Sequence, residues 1–323
     1  MPAVNTDAAP AAALPPLRVI LAAPRGFCAG VERAIQAVEE ALRRFGPPVY
    51  VRRPIVHNLA VVKDLESKGA IFVEELDEVP PESVVLFSAH GIARHVAEEA
   101  RLRSLTTFDA VCPLVLKVHH EVVRHGRDGR HVILVGHPGH PEVEGTLGQL
   151  SSGAATVVNS AAQVRALPLP RSSRVAYAIQ TTYSVDDASA IVDAILGRFD
   201  DVAGPSGSDI CYATTNRQSA LRAIAAEADA VIVAGADFSS NANRLADLAR
   251  ETGCGSVQLV AEAAEIDWDL LSGAGILGIT AAASTPETSI QEILAALAIR
   301  YRIEVEERIH VVESTVFRRL RLA

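Results

Sequence analysis

Three cysteines in this chain each stand where a strand-like apolar run gives way to a helix-like segment. Their settings are Ala23-Pro24-Arg25-Gly26-Phe27-Cys28-Ala29-Gly30, Phe108-Asp109-Ala110-Val111-Cys112-Pro113-Leu114 and Ser208-Asp209-Ile210-Cys211-Tyr212-Ala213-Thr214-Thr215, and they divide the sequence into rough thirds. Free backbone N–H groups and the helix dipole favour a thiolate at a helix start. This predicts a lowered thiol pKa and a role as ligand or nucleophile. Three such thiols converge if three similar units surround a pseudo-threefold axis, and three thiolates suit an iron–sulfur cluster with one iron left free for substrate. The competing reading is three buried apolar cysteines, since free Cys is among the most buried residue types. Spacing alone leaves both open.

The elements that must position these thiols read as one unit used repeatedly: a short β-branched strand, a polar or glycine-containing turn, then an amphipathic helix. Arg18–Ala22 leads to Cys28, Val49–Val51 to His57-Asn58, Val84–Ser88 to Ala89-His90-Gly91, and His131–Val135 to Gly136-His137-Pro138-Gly139-His140. Val175–Ile179 leads to Gln180-Thr181-Thr182, Ala230–Ala234 to Ser239-Ser240-Asn241, and Gly275–Thr280 to Ala283-Ser284-Thr285-Pro286-Glu287. In the last, Ser or Thr as N-cap and Pro at the first helical position are expected to open a helix. Alternation of this kind implies parallel sheets, and in such sheets ligands bind beyond the carboxyl ends of strands. The expected fold is α/β, with three similar units built on small, mostly parallel sheets about a pseudo-threefold axis. The expected boundaries are a disordered tail over 1–17, a first unit over 18–110 with Cys28, a second over 111–207 with Cys112, a third over 208–290 with Cys211, and a C-terminal helix and tail over 291–323. Within that last stretch Arg302-Ile303-Glu304-Val305 alternates like a short strand, and Ile309-His310-Val311-Val312 has the apolar character of a tail packing back on the body.

Composition narrows the function classes. The 323 residues are 49% hydrophobic but only 4% aromatic, as expected when Ala, Val, Leu and Ile fill parallel sheets covered on both faces. A net charge of −9 with no long Lys/Arg run argues against a nucleic-acid partner. Four cysteines without a C-x-x-C pair do not make a secreted disulfide scaffold. The Ala/Pro-rich start has neither the basic region nor the compact apolar core of a signal peptide. No apolar run approaches the roughly 18 residues that span a bilayer. The expectation is a cytoplasmic protein with no membrane partner.

Some motifs carry little. Gly273-Ala274-Gly275-Ile276-Leu277-Gly278 fits G-x-G-x-x-G, but it enters a strand instead of following one, which argues against a dinucleotide site. His137-x-x-His140 and His119-His120 are weak metal signals, and Cys254 reads as an incidental loop thiol.

Taken in order, the polar stretches resemble the 4-hydroxy-3-methylbut-2-enyl diphosphate reductase family from Val19 to about Ile299. The resemblance rests on Pro24 to Val31, Val56-His57-Asn58, Phe87 to Gly91, Cys112-Pro113-Leu114-Val115, Gly139 to Thr146, Gln180-Thr181-Thr182, Asp209 to Gln218, Ser239-Ser240-Asn241 with Asn243-Arg244-Leu245, and Ala283-Ser284-Thr285-Pro286. It implies that Cys28, Cys112 and Cys211 hold one 4Fe–4S cluster per chain at the centre of the three units. It implies as substrate an allylic alcohol bearing a diphosphate, (E)-4-hydroxy-3-methylbut-2-enyl diphosphate. Two electrons and protons remove its hydroxyl as water in the last step of the methylerythritol phosphate route, giving isopentenyl and dimethylallyl diphosphate. Glu142 matches the family's acid. His57, His90, His140, Ser239, Ser240, Asn241 and Ser284 match its diphosphate and substrate contacts, and Thr181 a residue near the substrate hydroxyl and the acid. An external one-electron donor of ferredoxin or flavodoxin type is implied as partner.

The chain departs from the family's usual pattern at Leu59-Ala60, where Arg or Lys and then Tyr are expected. It departs again at Val111 and Leu116, which replace threonines, and at Ala282, which replaces Gly. Two other readings fit parts of the pattern. A quinolinate-synthase-like dehydratase has no use for the Ser-Ser-Asn and Ala-Ser-Thr-Pro sites. A non-catalytic iron–sulfur paralogue needs no acid at Glu142.

Overall fold

The computed structural model describes residues 14–322, so the expected tail before residue 14 lies outside the described residues. In chain order, β1 (Pro16–Ala23), α1 (Ala29–Phe45), β2 (Val49–Arg52), α2 (Leu59–Ser67), β3 (Ala70–Val73), β4 (Val84–Phe87), α3 (Arg94–Leu102) and β5 (Thr106–Asp109) come first. Next are α4 (Pro113–Arg127), β6 (His131–Val135), α5 (Pro141–Leu147), β7 (Ala155–Val158), α6 (Ala161–Ala166), β8 (Arg174–Ile179), α7 (Val185–Arg198) and β9 (Asp201–Ala203). The chain continues with α8 (Tyr212–Ala225), β10 (Ala230–Ala234), α9 (Ser240–Glu251), β11 (Ser256–Val260), β12 (Ile276–Ala281), α10 (Glu287–Arg300) and β13 (Arg302–Ile309).

The strands form three sheets in the orders β3-β2-β4-β5, β7-β6-β8-β9 and β11-β10-β12-β1-β13. Every pairing among them is parallel. One four-strand order thus recurs three times, and β1 takes in the third sheet the place that β5 and β9 take in theirs. Each passage between sheets is a strand followed by a helix: β1 to α1, β5 to α4, β9 to α8. Three like units therefore surround a common centre, with strand carboxyl ends and helix N-termini turned to it.

Four expectations change. The strand at Arg18–Ala22, assigned to the first unit, belongs to the third sheet, because Val19 and Leu21 complete an apolar face with Ile232, Leu277 and Ile279. The expected tail ends before residue 17, since Pro16 and Leu17 already pair with Arg302 and Ile303 and Leu17 is buried. The C-terminal strand runs to Ile309 and covers the otherwise free edge of β1, its outer face rich in Glu and Arg as an edge strand needs. Helix α10 starts at Glu287 with Pro286 as N-cap, because the Thr285 hydroxyl donates instead to the Ala234 carbonyl at 3.0 Å.

Cys254, read as a loop thiol, is buried in the core between α8, α9 and the third sheet with Leu221, Ile224 and Leu248. Cys254→Ala deletes one buried heavy atom there. The expected loss is about 1 kcal/mol of stability in urea unfolding, with iron content unchanged; a fall in iron content would make this thiol a ligand.

Candidate active site where the three sheets meet

Each of the three cysteines is the N-cap of a helix that crosses between sheets: Cys28 of α1, Cys112 of α4 and Cys211 of α8. Their backbone N–H groups bond to carbonyls just past the carboxyl ends of β12, β4 and β8. Cys28 donates to the Ala283 carbonyl at 3.3 Å, Cys112 to Ala89 at 3.0 Å and Cys211 to Thr181 at 3.0 Å. Each thiol is thereby tied to the strand end that carries Ser284, His90 or Thr181. A side chain at Gly30 would put its Cβ 2.8 Å from the Cys112 sulfur and 3.7 Å from that of Cys28, so glycine leaves the space between two thiols open. Around Cys211, the Thr214 N–H and hydroxyl lie 3.4 and 3.2 Å from the sulfur.

A place at a helix start does not lower the pKa values of Cys112 and Cys211 in this pocket. Burial and the neighbouring thiols push the Cys112 thiol up to about 12 and the Cys211 thiol up to about 11, against the opposing backbone N–H bonds. Among the described residues no Lys or Arg lines the cavity to offset this. Three closely gathered thiols without a cation are a donor set that needs positive charge brought in. No three His, Cys, Asp or Glu side chains among the described residues could share a single metal ion. A cluster, in which each thiolate would bind a different iron, would need the space at Gly30 kept free of a side chain.

One cavity is lined by all three thiols and by every residue matched to the family's acid and substrate contacts: His57, His90, His140, Glu142, Thr181, Ser239, Ser240, Asn241 and Ser284. The histidine rings cluster, with centroids 4.2 Å apart for His57 and His90, 5.3 Å for His57 and His140, and 5.8 Å for His90 and His140. Burial holds their pKa values down, to about 4 for His57 and about 3 for His140, and well below the usual value for His90. All three are neutral at pH 7. His140 is the N-cap of α5 and its Nδ1 accepts the Glu142 N–H at 3.2 Å, so Nε2 carries the ring proton and is buried without a partner. Both ring nitrogens of His57 are likewise unpartnered.

At the start of α9, Ser239 caps the helix by accepting the Ala242 N–H, while the Ser240 hydroxyl and both amide atoms of Asn241 are buried without partners. Buried polar atoms left unpaired at a helix N-terminus are groups that an anion could satisfy. Ser284 differs from this set: its hydroxyl donates to the His57 carbonyl at 2.9 Å and joins the third sheet to the first unit.

Glu142 is 2% exposed, not the solvated helix-start carboxylate that its position alone favours. Its Oε1 accepts the Thr181 N–H at 2.6 Å and its Oε2 the Thr181 hydroxyl at 2.9 Å. Burial pushes its pKa up to about 7 despite these two bonds, with the nearby Asp209 charge adding to the rise. The carboxyl is half protonated at neutral pH, the condition that suits a proton donor.

The LytB protein family model matches residues 19–298. The chain belongs to this family. It is 54% identical over 306 residues to the 4-hydroxy-3-methylbut-2-enyl diphosphate reductase of Gluconobacter oxydans, covering 94% of this chain and 91% of that one. It is 52% identical to the reductase of the same name from Beijerinckia indica, covering 90% and 92%. The solved E-1-hydroxy-2-methyl-but-2-enyl-4-diphosphate reductase from Plasmodium falciparum superposes with a TM-score of 0.86 at 36% identity, over 93% of this chain and 94% of that one.

None of the departures from the family's usual pattern, at Leu59, Ala60, Val111, Leu116 and Ala282, lines the cavity. Sequence reasoning passed over Thr182 and Thr214, which do line it, and Asp209, which accepts the Ile179 N–H at 3.0 Å and holds the Cys211 loop to β8. All three lie inside the motifs already quoted, so their neighbourhood was the available signal. His119, His120 and His137 lie off the cavity.

The raised Glu142 pKa sets a sign for stability. Between about 4.5 and 7 the unfolded chain has lost this proton and the folded chain keeps it, so wild-type stability falls as pH rises through that window. Glu142→Gln apoprotein does not titrate there. Its stability relative to wild type is expected to climb toward about 3 kcal/mol and level off above pH 7. Urea unfolding at pH 5 to 8 checks this; a pH-independent difference would mean that the buried carboxyl is charged throughout.

Proposed function

We propose that this chain removes the hydroxyl of (E)-4-hydroxy-3-methylbut-2-enyl diphosphate reductively, giving isopentenyl and dimethylallyl diphosphate at the end of the methylerythritol phosphate route. The observation that carries this reading is a single cavity that joins three thiols, a half-protonated buried carboxyl and unpartnered anion donors. Cys28, Cys112 and Cys211 hold one 4Fe–4S cluster per chain, which when bound supplies Lewis acidity and one-electron transfer.

The chain's own residues do the rest. Ser239, Ser240 and Asn241 at the start of α9 receive the diphosphate together with the His140 Nε2–H and the rings of His57 and His90. Ser284 joins them when its proton turns from the His57 carbonyl to the anion. These donors are neutral when the site holds no anion, and a bound diphosphate raises the depressed imidazole pKa values, so binding draws protons in. Glu142 delivers its proton to the departing hydroxyl oxygen, which leaves as water as the C–O bond breaks. Two electrons and a second proton complete the new C–H bond of the product. Thr181 holds the carboxyl in place through both its oxygens. Burial excludes bulk water from that proton transfer.

The electrons come from outside, from a one-electron carrier of ferredoxin or flavodoxin type. Among the described residues no helix is long and apolar enough to cross a membrane. A cytoplasmic setting, reducing enough to keep the cysteines out of disulfides, fits this chemistry.

Anaerobic turnover of the allylic diphosphate with a low-potential reductant is the direct test; a brown, iron-loaded protein that makes neither product would overturn the reading. Glu142→Gln should load iron and bind substrate while turnover falls about 10²–10⁴-fold, the usual range for losing a general acid. Turnover of the wild type should decline as pH rises through about 7, where Glu142 loses its proton. Near-normal turnover in the variant would place the proton donor elsewhere.

Asn241→Ala should weaken inorganic pyrophosphate binding by roughly tenfold to a hundredfold, the loss of one hydrogen bond to a charged group, with the visible spectrum of the loaded protein unchanged. Calorimetric titration measures it. Equal affinity in the variant would remove Asn241 from the anion site.

A further inference from the structure

The largest polar side chain withdrawn from solvent lies just outside the cavity. Arg217 is 0% exposed. Its Nε and Nη2 donate to the Gly26 carbonyl at 3.0 and 2.7 Å, and Nη2 also donates to the Phe27 carbonyl at 3.2 Å. Its Nη1 donates to Ala213 on its own helix and to Glu313 Oε1, both at 3.0 Å. Glu313 lies beyond β13, and the Asn216 amide donates to it as well, at 3.0 Å. On the other side of Cys28, the Ala29 N–H donates to the Tyr212 hydroxyl at 3.3 Å. Helix α8, whose own cap is Cys211, therefore grips the chain immediately before and immediately after Cys28.

Glu313 belongs to a strap. After Ile309 the chain runs on without helix or strand. Arg33 donates to the Arg318 carbonyl at 3.1 Å and to the Ala110 and Val111 carbonyls at 3.2 and 2.9 Å, one residue short of Cys112. Leu320 and Leu322 then pack with Phe27 into the core of the first unit. The strap thus leaves the third sheet, is buckled at Glu313, passes the loops of Cys28 and Cys112, and ends in the first unit.

A buried arginine without a partner charge is costly, so the Glu313 carboxylate decides whether the guanidinium keeps its place on the Gly26 and Phe27 carbonyls. Groups behind metal ligands fix the ligands' geometry, and buried charge near a cluster sets its potential.

We propose that Arg217 and Glu313 are positioning residues for the iron–sulfur cluster, with the C-terminal strap locking the Cys28 loop against the Cys211 helix and balancing the charge beside it. This rests on the cluster assignment above. The charge balance gives it a sign. Glu313→Gln leaves the Arg217 cation unbalanced, which favours the reduced cluster and raises the midpoint potential. Arg217→Met leaves the Glu313 anion unbalanced, which lowers it.

The experiment compares anaerobically loaded wild type, Glu313→Gln, Arg217→Met and the double variant by iron content, redox titration and rate of cluster loss to a chelator. Each single variant should lose cluster about tenfold faster, the lower end of effects for groups behind metal ligands. The two potentials should move in opposite directions, and the double variant should return toward wild type. Shifts of the same sign, or none, would show general loosening and overturn the proposal. Where Arg217→Met fails to fold, Glu313→Gln decides alone: a raised potential supports the proposal, while an unchanged or lowered one overturns it. A wild type that takes up no iron overturns the cluster assignment itself, and this inference with it.

Discussion

Three backbone hydrogen bonds carry the arrangement on which everything else depends: those from the N–H groups of Cys28, Cys112 and Cys211 to the carbonyls of Ala283, Ala89 and Thr181. Each ties a helix start to the chain just past the carboxyl end of a strand, where the chain turns into a helix that leaves for the next sheet. The thiol is thus fixed at a helix N-terminus, and its distance from the neighbouring strand's polar residue is fixed with it. Because one such bond is made at each of the three crossings between sheets, three thiols arrive at one centre.

The electrostatics of that centre follow from its dryness. The chain carries a net charge of −9, yet the cavity has no cationic side chain among the described residues and holds its histidines neutral. Burial raises the Cys112 and Cys211 thiols and Glu142 and lowers the imidazoles, so each of these groups is pressed toward its uncharged form. Such a pocket gains most from ligands that bring complementary charge of their own. The Ser240 hydroxyl, the Asn241 amide and the His140 Nε2–H have no other partner to offer an incoming anion, and the three thiols would repel one another as thiolates unless positive charge were brought in. The carboxyl, short of both, keeps its proton near neutrality.

The ends of the chain close the structure around this centre. Strand β1 completes the third sheet, β13 seals the edge of β1, and the strap beyond it returns to the first unit. Terminal segments that hold a sheet edge and a core are part of the cooperative fold. Here they also reach the backbone on either side of a thiol, which couples the last residues of the chain to the site.

The sequence by itself determined the α/β class, the repeated strand–turn–helix unit and the identity of the polar residues at strand ends. Hydrophobic periodicity and turn chemistry are local, and ligands in parallel sheets sit beyond strand carboxyl ends whatever the sheet order. The family motifs put the three cysteines and Glu142 together in one reading before any contact was visible. Only the tertiary structure decided that β1 belongs with β10 and β12, because strand partnership depends on which apolar faces meet across more than 250 residues, as Arg18 and Ile276 do. It decided the protonation of the site too. The helix-start argument for acidic thiols is local, and burial beside other thiols reverses it. Arg217 reads in the sequence as one more charge on an amphipathic helix. That it is fully buried, and held by a glutamate 96 residues further on, follows from the strap's path over the folded body.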